Sequence, residues 1–219
     1  TSYRNLTEVT GEREYIRQYP DFTNLLEGVV PDDFDSSTYG VALVPNYRMI
    51  DKTSDISGNS YVTFMKSCVQ RLQELEARPF MLIHEGEDDE RLAQEISNSA
   101  VPVIKEEDPL RLKGILGASR AVVASRFHAL VSALSQGIPA VATGWSHKYT
   151  ELFSDYGFPA GILSINDDTS RVNEMLETIV DASAARQIST QLLEKSHGQK
   201  ILAEEMWSEV DAVIKDSRR

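Results

Sequence analysis

The run Ala121-Val122-Val123-Ala124 passes without a linker into Ser125-Arg126-Phe127-His128 and then into a helical pattern, with Phe127, Leu130, Val131 and Leu134 at i, i+3, i+4 and i+7. An unbroken apolar run fits a strand covered on both faces, and the spacing after it describes one face of an amphipathic helix. The turn between them gathers an arginine, a histidine and the free N–H groups of a helix start at the carboxyl end of a strand. In open α/β sheets that is where ligands sit. A helix N-terminus beside a guanidinium attracts anions. The segment therefore predicts a site for a small anion, a phosphate or a carboxylate.

The same alternation runs through the rest of the chain. Strands are expected over residues 14–19, 39–45, 80–83, 101–104, 121–124, 139–142 and 160–165. Helices are expected from Ser2 to a stop at Gly11, over 60–77, 88–99, 109–116 and 147–156, and from Thr169 onward with a break near Ser196-His197-Gly198. Residues 51–59 read as a polar loop. Strands alternating with helices imply an α/β fold, a Rossmann-like parallel sheet with helices on both faces. The acidic stretch 28–38 is the one boundary that composition suggests. Residues 1–38 read as the end of a preceding region or a connection, and 39–219 as a Rossmann-like domain with C-terminal helices. The chain opens on Thr1 as if inside an element, so a further N-terminal domain is expected.

Composition narrows the classes of function. The net charge is −12 and no cluster of Lys or Arg forms a basic stripe, which argues against nucleic acid as a partner. Cys68 is the one cysteine, so no intrachain disulfide can form. It falls on the core side of the pattern Tyr61, Phe64, Met65, Cys68, Leu72, Leu75 and reads as a packing residue. No apolar run reaches membrane-spanning length and no signal-peptide pattern is present, so a cytoplasmic location is expected. Nothing in the sequence sets the oligomeric state.

Four expected strand ends carry polar groups: Asn46-Tyr47-Arg48, His84-Glu85-Gly86, Ser125-Arg126-Phe127-His128, and Gly144 to Tyr149. Parallel strands bring all four to one edge, so Arg48, His84, Arg126, His128, His147 and Lys148 can share a rim. Each has a plainer reading as a solvated charge, a cap or a packed side chain, and Trp145 reads as a lid or as packing. Arg126, between an apolar strand and an apolar helix, needs a partner, and a ligand is preferred to an internal carboxylate. His128 in a first helical turn opposes the helix dipole, which predicts a lowered pKa and a neutral imidazole unless an anion is bound. Asp88 and Asp89 read as helix-start charges. Metal ligation is not expected, because neither HExxH nor paired Cys/His spacing occurs, and P-loop, GxGxxG and GxSxG patterns are absent.

Taken together, Val122 to Leu130, Gly137-Ile138-Pro139-Ala140-Val141, Lys148 and Leu152 resemble the polysaccharide pyruvyl transferase family. That family shows an apolar strand, Ser-Arg-Leu-His, a helix ending in Gly-x-Pro, and a following Lys; Phe127 replaces the usual Leu. Tyr19-Pro20-Asp21 resembles a Pro-Asp segment nearer the middle of family members, so the chain corresponds to their second half. The resemblance implies the C-terminal domain of a B-type glycosyltransferase fold. It also implies transfer of a pyruvyl group from phosphoenolpyruvate, the donor substrate, to two hydroxyls of a glycan acceptor, forming a ketal and releasing phosphate. No cofactor is implied. By this analogy Arg126 and Arg48 clamp phosphate or carboxylate, His128 is the catalytic acid, and Lys148 adds charge, with His84 and His147 also lining the donor site. The acceptor is expected largely between the two domains and its residues are not assigned, so little or no turnover is expected from this chain alone. The alternatives are half of a nucleotide-sugar glycosyltransferase or epimerase, with Glu151 as a ribose-binding acid, and a non-catalytic binding module.

Overall fold

Consecutive strand residues point to opposite faces, so a strand buried along its whole length must be covered on both. In the computed structural model, which describes residues 2–13, 16–51, 55–144 and 146–216, this holds for four strands. They are β1 (Val41–Val44), β2 (Pro79–Ile83), β4 (Ala121–Ala124) and β5 (Ala140–Ala142); β3 (Val103–Lys105) lies at an edge and is partly exposed. All neighbours pair in parallel, in the order β3-β2-β1-β4-β5. The central register sets Val41 beside Ala121 and Val44 beside Ala124. The Rossmann-like parallel sheet is as the alternation predicts.

The helices are α1 (Ser2–Thr10), α2 (Arg48–Asp51), α3 (Asp55–Glu74), α4 (Gly86–Ser97), α5 (Pro109–Ala118), α6 (Phe127–Ser135), α7 (His147–Asp155), α8 (Thr169–Val180) and α9 (Ala182–Asp216). After β1 the chain builds outward through β2 to β3; it then returns by α5 to the other side of β1 and builds through β4 to β5. The direction of growth thus reverses between β1 and β4. A sheet of this kind opens a crevice outside the carboxyl ends of those two strands. Cys68 is buried in the core, and burial pushes its thiol up to about 12, which makes it the inert packing residue its position suggests.

Several local expectations need correction. Residues 16–19 form no strand, and residues 14 and 15 lie outside the described residues. The expected strand at 160–165 is a 3₁₀ turn, Pro159–Gly161, followed by a single bridge between Ala142 and Ile162. The expected loop at 51–59 is not one: Asp51 closes α2 and the chain is helical again from Asp55, while residues 52–54 lie outside the described residues. The C-terminal helix does not break at Ser196-His197-Gly198. The break falls at Asp181, whose carboxylate accepts the N–H groups of Ser183 and Ala184 and so starts α9. Ser196 is instead a small buried residue at the contact with α6, its hydroxyl donating to the Ser135 carbonyl at 2.8 Å.

Candidate functional site

A network centred on Ser125 fixes the floor of the crevice. Ser125, the first residue after β4, is fully buried. Its carbonyl accepts from Asn46 Nδ2 and from the Tyr149 hydroxyl, each at 2.8 Å. Its hydroxyl accepts from the Tyr61 hydroxyl at 2.9 Å, and the Asn46 N–H donates to the Tyr61 oxygen at 3.2 Å. The ends of β1 and β4 are thereby tied by buried, satisfied polar groups, which rigidify a site when every member has a partner. Gly144 is needed for this: a Cβ there would lie 2.6 Å from the Tyr149 ring.

Arg126 stands at the N-cap of α6 with its guanidinium turned to α4. Nε donates to Asp89 Oδ2 at 2.8 Å, Nη2 forms an ion pair with the same oxygen at 2.6 Å, and Nη1 donates to Glu85 Oε2 at 2.5 Å. The other Asp89 oxygen accepts the Tyr47 N–H at 2.9 Å. The Asp89 side chain is 1% exposed, that of Arg126 17% and that of Glu85 69%. Burial works against the charge on Arg126, and the hydrogen bonds to Asp89 outweigh it, so its pKa is raised. The partner of Arg126 is therefore an internal carboxylate, contrary to the preference for a ligand. Asp89 is also no simple helix-start charge. It shares the buried face of α4 with Leu92, Ala93 and Ile96, at i, i+3, i+4 and i+7, and that spacing is the signal in the sequence that marks it.

His128 corrects a second expectation. Its Nε2 lies 3.4 Å from Asp21 Oδ2, and its side chain is 61% exposed. The hydrogen bond to Asp21 raises its pKa despite burial, so the imidazole favours its charged form. Burial opposes the charge on Asp21, but the hydrogen bonds from His128 and Thr23 win and hold its carboxyl down at about 2. Asp21 supplies the negative charge that the helix start lacks. The segment carrying it is anchored by a 3₁₀ turn, Phe22–Leu25, whose Thr23 carbonyl accepts from the buried Lys113 at 2.7 Å.

Asn46, Arg48, His84, Arg126, His128 and Lys148 surround a cavity of about 180 Å³, with Glu85, Phe127 and Tyr149 completing its wall. His84 is half-buried; burial first, then Arg126 and His128, lower its pKa, and among the described residues its Nδ1 has no hydrogen-bond partner. Lys148 lies with its ammonium 4.7 Å from the centre of the Phe127 ring and 5.7 Å from that of Tyr149, a cation–π arrangement, and has no ion pair among the described residues. Arg48 is exposed and pairs with Asp51 at 2.5 Å. The first N–H groups of α6 have no intrahelical acceptor, the ladder beginning with Leu130 bonded to Arg126. Five of the six expected residues thus meet here. His147 does not; it lines a second cavity on the far side of Phe127. Trp145 lies outside the described residues. Asn46, Tyr61, Asp89, Tyr149 and Asp21 complete the site. Among the described residues no group of three or more His, Cys, Asp or Glu is placed to hold a metal ion.

The family model for polysaccharide pyruvyl transferase matches residues 1–147. The chain belongs to the polysaccharide pyruvyl transferase family. The matched span contains Asp21, Arg48, His84, Asp89, Arg126 and His128 and ends just before Lys148. The fold of the chain is similar to that of the glycosyltransferase SnogD from Streptomyces nogalater, with 14% identity, a TM-score of 0.53, and coverage of 90% of this chain and 48% of that one. It is also similar to S. aureus MnaA in a co-structure with UDP, with 13% identity, a TM-score of 0.55, and coverage of 85% and 50%. The chain spans about half the length of either protein, as a domain of the B-type glycosyltransferase fold does. No curated protein matches it at a significant level. No described helix is long and apolar enough to cross a membrane.

Proposed function

We propose that this pyruvyl transferase family member binds phosphoenolpyruvate in the cavity at the β1/β4 crevice and transfers its pyruvyl group to a glycan. The observation that carries this reading is the cavity itself. On a chain of net charge −12, Arg48, Arg126, His128 and Lys148 converge on one small space beside a helix N-terminus. At about 180 Å³ it is smaller than the ~300 Å³ at which pockets for drug-sized ligands begin. That size suits a three-carbon phosphate better than a nucleoside diphosphate.

In this reading the phosphate sits against the α6 N–H groups and Lys148. Arg126 is held from behind by Asp89, while the exposed Glu85 gives way at Nη1 when the anion arrives, a surface pair being weak. His128, kept charged by Asp21, donates its proton to the methylene carbon, which becomes the methyl group. One acceptor hydroxyl adds at the adjacent carbon and its proton restores His128. The bond to the phosphate oxygen then breaks, and the second hydroxyl closes the ketal as its proton leaves with phosphate. The glycan hydroxyls thus supply both protons, and no oxidant or cofactor enters the balance. The test is the ³¹P line width of phosphoenolpyruvate mixed with the chain. Broadening that disappears in Lys148→Met supports the reading; an unbroadened line with the wild-type chain overturns it.

A further inference from the structure

Lys113 lies in the middle of α5 and is only 4% exposed. Burial first, then Lys200 of α9, lower its pKa to about 8, with Asp21 opposing them. It has no ion pair among the described residues, and its ammonium donates to one acceptor, the Thr23 carbonyl, at 2.7 Å. A buried charge held by a single neutral acceptor is costly, and an apolar side chain of similar length would avoid that cost. The bond is explained by what it holds in place.

Thr23 connects Lys113 to the candidate acid. Its carbonyl accepts from Lys113, while its own N–H and hydroxyl donate to Asp21 Oδ1 at 2.9 and 2.5 Å. That leaves Asp21 Oδ2 for His128 Nε2, at 3.4 Å. This contact is at the long end of hydrogen bonding, so a small displacement of the 3₁₀ turn removes it. The continuation of the segment is seated on α5 as well. The Val29 N–H donates to the Leu110 carbonyl at 2.9 Å, and a Cβ at Gly28 would lie 2.6 Å from the Gly114 nitrogen. α5 is in turn bonded to α6, because Nε2 of Gln136, the C-cap of α6, donates to the Lys113 carbonyl at 2.9 Å. Lys113 therefore joins the segment that brings the carboxylate to the helix that brings the imidazole.

We propose that Lys113 is a positioning residue for His128: by fixing the Thr23 carbonyl on α5, it keeps the Asp21 carboxylate within reach of the imidazole. Its catalytic meaning rests on the pyruvyl transfer reading, in which His128 delivers the proton; Lys113 itself does not line the donor cavity. The test is an NMR titration of the His128 ring in Lys113→Met, Lys113→Leu and Lys113→Arg, with thermal denaturation and phosphoenolpyruvate ³¹P line widths on the same samples. The charged groups that act on His128 are Asp21 from the turn, Lys148 from α7 and Glu85 at the start of α4. Removing a cation by its charge alone raises an imidazole midpoint or leaves it in place, whereas loosening Asp21 lowers it, so the sign separates the two effects. The two apolar variants, of different shape in case one packs poorly, should lower the His128 midpoint towards 6.5. Lys113→Arg, which keeps the charge and the donors, should hold it near the wild-type value. A lysine with only a structural role would alter denaturation and leave the midpoint alone. An unmoved or raised midpoint in a folded apolar variant, or an equal fall in Lys113→Arg, would overturn the proposal. An unbroadened phosphoenolpyruvate line with the wild-type chain would sink the donor reading and leave the coupling of Lys113 to His128 standing.

Discussion

The two cavities flanking Phe127 differ in what the protein has already done with their polar groups. In the smaller one most groups arrive with partners: Arg126 on Asp89, His128 on Asp21, and Asn46 and Tyr149 on the Ser125 carbonyl. The larger one has Phe127, Val131 and Leu152 in its wall, and its most deeply buried polar side chain, Asn24, is closed off from the open space. A cationic site has to be held together before its ligand arrives, because unpaired buried charge is costly. A paired, cationic site and a cavity with an apolar wall thus sit on opposite sides of one aromatic ring.

The largest effect tests the prearranged side. Asp89→Leu leaves Arg126 buried without its main partner and should destabilise the chain by about 3–5 kcal/mol in chemical denaturation. Adding Arg126→Met should recover most of the loss, since two apolar residues of similar volume can replace a buried pair. A loss below about 1 kcal/mol would place the pair among ordinary surface bridges. Next comes Lys148→Met, which should weaken phosphoenolpyruvate by roughly tenfold, about 1.4 kcal/mol, with little change in stability because the residue is exposed.

Asp21→Asn should move the His128 midpoint, followed by NMR, from above 6.5 back towards that value. The sign follows from linkage. The raised pKa of His128 means that its part of the pair's stability is complete below 6.5 and fades as pH rises through the folded value. Asp21 contributes above 3.8 and loses its part as pH falls through about 2. The pair therefore supports the fold from mildly acidic pH up to the raised midpoint of His128. An unmoved midpoint would detach Asp21 from the site. The smallest effect is expected for Arg48→Ala, whose exposed bridge to Asp51 should change stability by no more than about 0.5 kcal/mol.

The sheet was legible because its central strands are short, wholly apolar runs, and because several of the turns after them carry Arg, Lys or His. Most of the rim could be placed for the same reason: parallel strands send Arg48, His84, Arg126 and His128 to one edge whatever the loops do. The counter-charges were less legible. Asp89 left a local trace in its helical spacing with Leu92 and Ile96, masked by its neighbour Asp88 at the start of α4. Asp21 stood out only as part of Tyr19-Pro20-Asp21 and not as a partner of His128, since that contact joins distant parts of the chain and depends on how the 3₁₀ turn docks on α6 and α9. His147 was misplaced because adjacent residues of a helix face different ways: Lys148 reaches both cavities, His147 only the larger. Ser196 and Gly198 looked like a helix break because small residues serve both as breakers and as close packing contacts.

The most direct test is calorimetric titration of the chain with phosphoenolpyruvate, with UDP and inorganic phosphate in parallel. The account predicts that phosphoenolpyruvate binds, that His128→Gln and Lys148→Met weaken it, and that UDP gives no heat. Binding of UDP alone, or no heat from phosphoenolpyruvate, would contradict it.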